Sequence, residues 1–106
     1  MIARHVTMRL KTNTAAEFTQ MIEKEIVPVL RKQKGFEDEI TFIGPGAREA
    51  LGISFWDKLE SADAYNRVSY PDVLKTLAKV LDGTPQVQTW EVANSTSHKI
   101  ATAVAA

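Results

Sequence analysis

The sequence contains no cysteine, and this absence removes several kinds of site. Without thiols there is no disulfide framework, no thiolate nucleophile and no cysteine-ligated zinc. The two histidines are distant in sequence and the carboxylates are scattered, so no metal is expected. The 13 basic and 13 acidic residues cancel, and a chain without net charge has no field to attract nucleic acid or anionic lipid. Neither nucleic acid nor a membrane is therefore an expected partner.

The sequence also lacks a long hydrophobic run. A membrane-spanning helix needs about 20 apolar residues, whereas the longest strongly apolar stretch, 26–30, is interrupted by Pro28. The N-terminal residues have no apolar run of signal-peptide length. We therefore expect a cytoplasmic domain. Hydrophobic residues at 44% and charged residues at 25% are typical of a chain that buries one core.

Residues 2–11 alternate in polarity, which predicts a strand with one face turned towards a core. Arg4 is the one charged residue that interrupts the apolar side, while His5 and Thr7 belong to the opposite side. The apolar side is formed by Ile2, Val6, Met8 and Leu10.

A helix is predicted over 14–34, because apolar residues recur there at intervals of three and four. Thr14 and Glu17 have the spacing of a capping box at its start. Pro28 is expected to kink the helix, since its ring removes a backbone donor and clashes with the preceding turn. Gly35 is expected to end it in a left-handed conformation.

Two further strands, 36–43 and 48–57, flank a Gly-Pro-Gly turn and predict an antiparallel hairpin. A second helical region follows, broken into about 61–69 and 71–82 because proline disfavours helical geometry at the residue before it. Ser61 is the expected N-cap, and a final strand is predicted over 87–94. The alternation of the third strand is interpreted with Leu51, Ile53 and Phe55 in the core and with Gly52, Ser54 and Trp56 on the other face.

The order β-α-β-β-α-β predicts an α+β, ferredoxin-like fold, a four-stranded antiparallel sheet with both helices on one face. The other face would carry polar and aromatic side chains that need a cover. A second copy of the chain packed sheet to sheet would supply it and would enclose a small-molecule cavity, so a homodimer is expected. The alternative is that the tryptophans only fill an interface. The residues assigned to this face are His5, Thr7, Ser54, Trp56 and Trp90.

Several segments together resemble the antibiotic biosynthesis monooxygenase-like family of dimeric α+β barrel proteins, over positions 2–95. This resemblance divides the chain into a domain, 1–95, and a tail, 96–106, which is either frayed or an arm laid on a partner. The segments that carry it are the opening strand, Pro28-Val29-Leu30, Lys34-Gly35-Phe36, Ser54-Phe55-Trp56-Asp57, Ser61-Ala62-Asp63-Ala64-Tyr65 and the strand 85–92.

The resemblance implies a homodimer with a pocket between sheet and helices. Some members of the family oxidise aromatic polyketides or quinols with molecular oxygen and without metal or flavin, so no cofactor is expected, whereas others degrade haem. Cofactor-free oxygenases of this kind have an asparagine where this chain has Gly52. The stretch 72–78 is similar to the haem-binding region but contains no histidine, which disfavours haem.

His5 is the candidate catalytic residue, because an imidazole facing the cavity can accept a proton from a phenol or quinol. Its alternative is a polar strand residue bonded to a neighbour, and His98 is a weaker candidate. Trp56 matches the family position that packs against substrate, with core or interface packing as its alternative. Ser54, Thr7 and Trp90 would also line the pocket, and Tyr65, Asn66 and Tyr70 would lie near its mouth, although Tyr65 also fits core packing.

The first functional hypothesis is therefore a cofactor-independent monooxygenase acting on a small aromatic or quinol-like substrate. The second is a non-catalytic dimeric module that binds a ligand or serves in a stress response, which the glycine at position 52 would allow. An isomerase or decarboxylase on the same fold is a third.

Overall fold

The computed structural model of the chain describes residues 1–100, in which four strands alternate with two helical regions. The strands pair antiparallel, in the spatial order second, third, first and fourth along the chain, and the helices pack on one face of the sheet. This confirms the predicted α+β, ferredoxin-like architecture. None of the helices in this part of the chain is long and apolar enough to cross a membrane. The elements are β1 (Ile2–Arg9), α1 (Ala15–Met21), a π-helical turn (Ile22–Ile26), α2 (Val27–Arg31), β2 (Phe36–Ile43), β3 (Glu49–Trp56), α3 (Leu59–Val68), α4 (Tyr70–Leu77) and β4 (Gln86–Glu91).

The first helical region is continuous but is irregular just before its proline. The turn Ile22–Ile26 is π-helical, and Pro28 stands in the first turn of α2, where the missing N–H costs least. Gly35 follows with φ of 83°, and a Cβ at that position would collide with the side chains of Asp57 and Ser61. The predicted capping box does not form, since the Thr14 hydroxyl donates to the Lys11 carbonyl instead.

The second helical region is broken as predicted, between α3 and α4. It begins earlier than expected, at Leu59, so Ser61 lies inside the first turn and is buried there. The predicted N-cap at Ser61 is therefore wrong. Tyr70 begins α4 next to the break, and its side chain packs against the core.

The side chains of β3 point to the opposite sides of the sheet from those predicted. Arg4 pairs with Ser54 and Ile2 pairs with Trp56, so these side chains share the helix-covered face. Trp56 is fully buried and Ser54 is 6% exposed. The assignment of Ser54 and Trp56 to the open face was wrong because Leu51, Ile53 and Phe55 form the more apolar side of β3, whereas the side that is buried has Trp56 as its one large apolar residue.

The open face of the sheet carries the residues that were expected in the core of β3, together with side chains of the neighbouring strands. Ile40, Phe42 and Trp90 are 43%, 48% and 53% exposed. Part of the tail crosses this face, since the His98 ring lies 5.6 Å from that of Phe55. The rest of the predicted tail, 101–106, lies outside the described residues.

Candidate functional site

An inner cavity of about 50 Å³ lies between the sheet and the helices. The π-helical turn contributes Ile22 and Ile26, and the tyrosines come from the two pieces of the second helical region. Most of the wall is apolar, and the polar groups are confined to a few positions. The polar residues that line it are Arg4, Glu39, Thr41, Ser54, Tyr65 and Tyr70.

Arg4 is the unusual member of this cavity, because a guanidinium 3% exposed has no carboxylate partner among residues 1–100. Its central carbon lies 4.1 Å from the ring centroid of Tyr70 and 5.1 Å from that of Tyr65, within cation–π range. Nη2 donates to the Asn66 side-chain oxygen at 2.7 Å. Nε is buried without a partner in this part of the chain. Burial lowers the pKa of Arg4, although a guanidinium stays charged at physiological pH.

The two tyrosines beside Arg4 are held in their neutral form. Burial raises the pKa of Tyr65 to about 12, against the opposing effect of the Arg4 charge. Burial also raises the pKa of Tyr70. The Tyr70 hydroxyl is buried beside the Arg4 guanidinium, whose proximity opposes the rise in its pKa, but the two groups make no well-aligned hydrogen bond and the hydroxyl has no other partner among the described residues. It is therefore available as a donor.

Among residues 1–100, Glu39 is the one carboxyl that lines the inner cavity. Burial raises its pKa, and the hydrogen bond donated by the Thr41 hydroxyl opposes that effect. Glu39, Thr41 and Ile22 also line a larger surface groove of about 760 Å³ between the first helical region and β2. These three residues therefore mark the boundary between the groove and the inner cavity.

Trp56 forms the packed end of the site. Its ring stacks on Tyr65 at 5.1 Å between centroids and meets Phe36 edge to face at 5.7 Å. Its Nε1 donates to the Ser54 hydroxyl at 2.9 Å. With no exposed surface, Trp56 holds Tyr65 in place, and Tyr65 is the ring that the cavity presents.

His5, Thr7 and Trp90 lie on the other side of the sheet. His5 pairs with Gln88 across β1 and β4, and its ring is 6.1 Å from that of Trp90. The predicted site therefore divides in two. The structure brings Ser54, Tyr65 and Asn66 together around Arg4, with Trp56 stacked on Tyr65, and it places His5, Thr7 and Trp90 on the open face.

The two charged residues that line the inner cavity were not among the predicted site residues. Arg4 had a visible signal, because it is the charged residue in the apolar face of β1. Glu39 had no such signal in the sequence. A register shift between Phe36 and Asp38 changes which side chains of β2 point towards the helices, and the sequence pattern does not show this shift. Within residues 1–100 no group of three or more histidines and carboxylates is placed to hold a metal ion.

Solved structures resemble this chain over nearly its whole length. A monooxygenase from the gene ActVA-Orf6 of Streptomyces coelicolor, in complex with the ligand nanaomycin D, has a TM-score of 0.75 at 11% identity over 89% of this chain and 88% of that one. A provisionally assigned antibiotic biosynthesis monooxygenase from Bordetella bronchiseptica has a TM-score of 0.74 at 12% identity, with coverages of 88% and 97%. One with the same provisional assignment from Deinococcus radiodurans has a TM-score of 0.68 at 19% identity, with coverages of 90% and 95%.

These likenesses establish the fold. The chain has the fold of the antibiotic biosynthesis monooxygenases, as the resemblance predicted. Neither a protein-family model nor a curated protein sequence matches it.

Proposed function

We propose that the chain is a cofactor-independent monooxygenase that acts on a small aromatic or quinol-like substrate and works as a homodimer. The observation that carries the proposal is the inner cavity, where a half-buried carboxyl, Glu39, and a cation that forms no ion pair within residues 1–100, Arg4, share walls with two tyrosine rings. A ligand-bound monooxygenase among the structures of the same fold supports it.

Glu39 replaces His5 as the preferred proton acceptor for chemistry in this cavity. A carboxyl whose pKa is raised by burial is a stronger base than an exposed one, and it lies where the groove meets the cavity. Loss of a phenolic proton to Glu39 makes the ring electron-rich enough to reduce oxygen. For a hydroquinone the substrate supplies all four electrons: the O–O bond breaks, one oxygen atom forms a C–O bond in place of a ring C–H bond, and the other leaves as water with two of the substrate's hydrogens, which gives a hydroxyquinone.

The homodimer is proposed from the open face of the sheet. Ile40 and Phe42 on β2 and Trp90 on β4 are all more than a third exposed there. Phe55 on β3 belongs to the same face. Large exposed apolar side chains on one face of a sheet are typical of an interface. A second copy would cover it and would place His5 and Thr7 at the contact.

Oxygen uptake with a panel of hydroquinones tests the catalytic proposal. Uptake is expected, and it should fall about 100-fold or more in Glu39→Gln, since removing a general base costs roughly 10²–10⁴. His5→Ala is the matched comparison on the other face and should retain most of the rate. If His5→Ala is the inactive variant, the reaction belongs to the open face.

A non-catalytic binding module is the second candidate. Gly52 favours it, because no catalytic amide projects into the cavity from that position, where a Cβ would have only Met8 Cε at 3.5 Å as a neighbour. Binding of hydroquinones without oxygen uptake would support this candidate.

Light scattering over a range of protein concentrations tests the dimer. A mass of two chains is expected, and Phe42→Ser should shift it towards one. A stable wild-type monomer would show that the dimer proposal is wrong.

A further inference from the structure

We infer that the Arg4 guanidinium and the Tyr70 hydroxyl form a binding site for an anionic oxygen carried by an aromatic ring. The ligand class is thus a small aromatic carboxylate or phenolate. This inference deepens the proposed function, because it specifies the charge of the substrate. It rests on the proposed function only for the assumption that the substrate is aromatic.

The first support is the uncompensated charge of Arg4. Buried charges in proteins are normally paired, because removing an ion from water is costly. Here the neighbours of the guanidinium are two tyrosine rings and the neutral side chain of Asn66, and no carboxylate within residues 1–100 forms an ion pair with it. The rings and the amide hold the cation in one position and leave its charge available to a ligand.

The second support is a pair of unused donors. Arg4 Nε and the Tyr70 hydroxyl are both buried without partners in the described part of the chain. Buried polar groups of folded proteins are nearly always hydrogen-bonded, so each such exception needs an explanation. Since the guanidinium carbon is 4.1 Å from the Tyr70 ring centroid, the two donors belong to one small region. An anionic oxygen is the group that accepts from both.

A surface pocket adjoins this region, and a ligand that entered from it would reach the two donors after a shift of the side chains that bury them. Arg4 and Tyr70 line the inner cavity and also line an opening of about 370 Å³ between α3 and β4. The opening is large enough for a single aromatic ring. Asp63 lies in the same opening but forms no ion pair with Arg4, so it repels an anion without neutralising the cation.

Calorimetric titration with benzoate and with 4-nitrophenolate tests the inference. Both should bind, and the neutral analogues benzamide and 4-nitroanisole should bind at least about tenfold more weakly, because a charge-assisted hydrogen bond is lost. The phenolate gives a second readout. At a pH where most free 4-nitrophenol is protonated, adding the protein should increase phenolate absorbance.

Variants locate the site. Arg4→Met should weaken anion binding about tenfold or more, and Tyr70→Phe, which removes only the hydroxyl, about fivefold. Arg9→Met is the matched control, since Arg9 is an exposed arginine of the same strand that faces Asp82 at 3.8 Å. Asp63→Asn should tighten binding if the anion enters through the opening beside α3.

Arg4→Met should also melt higher than the wild type, because an unpaired buried charge destabilises the fold. If that variant does not fold, Tyr70→Phe and Asp63→Asn still report on the site. Equal binding of neutral and anionic probes, unchanged binding in Tyr70→Phe, or no binding of either anion overturns the inference. Anion binding without oxygen uptake contradicts the proposed oxygenase alone, and uptake of neutral quinols without anion binding contradicts the inference alone.

Discussion

The two faces of the sheet differ in a way that reverses the usual relation between polarity and burial. The face under the helices buries an arginine and a serine, Arg4 and Ser54, whereas the open face exposes Ile40, Phe42 and Trp90. Neither face is therefore explained by the isolated fold alone. Within residues 1–100 the covered face has a charge without a counterion, and the open face has exposed apolar side chains. The two proposals rest on these features, a small ligand on one side and a second chain on the other.

The largest difference between the faces is expected from their tryptophans. Trp56→Ala should lower the free energy of unfolding by about 3–5 kcal/mol, as for other large buried side chains, because Trp56 is fully buried between Phe36 and Tyr65. Trp90→Ala should cost less than about 1 kcal/mol in the monomer. Urea denaturation followed by circular dichroism measures both.

The free-energy costs of the two tryptophan substitutions are also expected to differ in how they depend on protein concentration. The cost of Trp56→Ala should not depend on concentration, whereas that of Trp90→Ala should grow with concentration if the proposed dimer forms. Equal costs at every concentration would contradict the assignment of the two tryptophans to differently covered faces.

The next effect is the alkaline loss of stability caused by Tyr65. Its folded pKa of about 12 lies above the ordinary value of 10, so the unfolded chain loses the proton first as the pH rises. Stability is fully present below about pH 10 and is lost up to about pH 12, by roughly 2–3 kcal/mol. Absorbance titration of Tyr70→Phe reports Tyr65 alone, because the chain has only two tyrosines. A midpoint near 10 with the fold intact would contradict its burial.

A smaller, stabilising effect is expected at Gly52. Replacing a strand glycine with alanine removes backbone entropy from the unfolded chain and is worth about 0.5–1 kcal/mol. A Cβ at position 52 meets only Met8 Cε at 3.5 Å, an ordinary contact. Gly46→Ala is the control, since nothing lies within 4 Å of its Cβ. If Gly52→Ala is destabilising while Gly46→Ala is not, the inner cavity has less room than the structure shows.

The smallest effect is expected from Glu39→Gln. Burial raises the folded pKa of Glu39, so its charged form opposes folding at neutral pH, and exposure of part of the side chain limits the penalty. The variant should melt slightly higher than the wild type at neutral pH. The difference should vanish below the ordinary pKa of a glutamate, where the carboxyl is protonated in both states. A gain that persists in acid would show another cause.

The sequence predicts the order of elements well because the periodicity of each segment is a local property. The pairing of Arg4 with Ser54 is not local, since it depends on which β3 side chains meet the helices, and those that meet them are not the more apolar set, Leu51, Ile53 and Phe55. The bulge near Glu37 similarly changes the facing of β2 after its first residue. Arg4 was visible as an interruption of an apolar face, but only packing shows that it is buried and unpaired. The candidate site was therefore predicted in parts and not as one arrangement.

The π-helical turn also has a consequence for how the chain tolerates changes of length. The buried residues of the first helical region are Phe18, Met21, Ile26 and Leu30, which are separated by three, five and four positions. An α-helix keeps neighbours on one face at intervals of three or four, and the interval of five is accommodated by the wider turn between Ile22 and Ile26. The turn thus acts as a one-residue insertion. Deleting a residue there would leave intervals of three, four and four, so that an unbroken α-helix could keep the same face buried and the inner cavity would lose part of its wall.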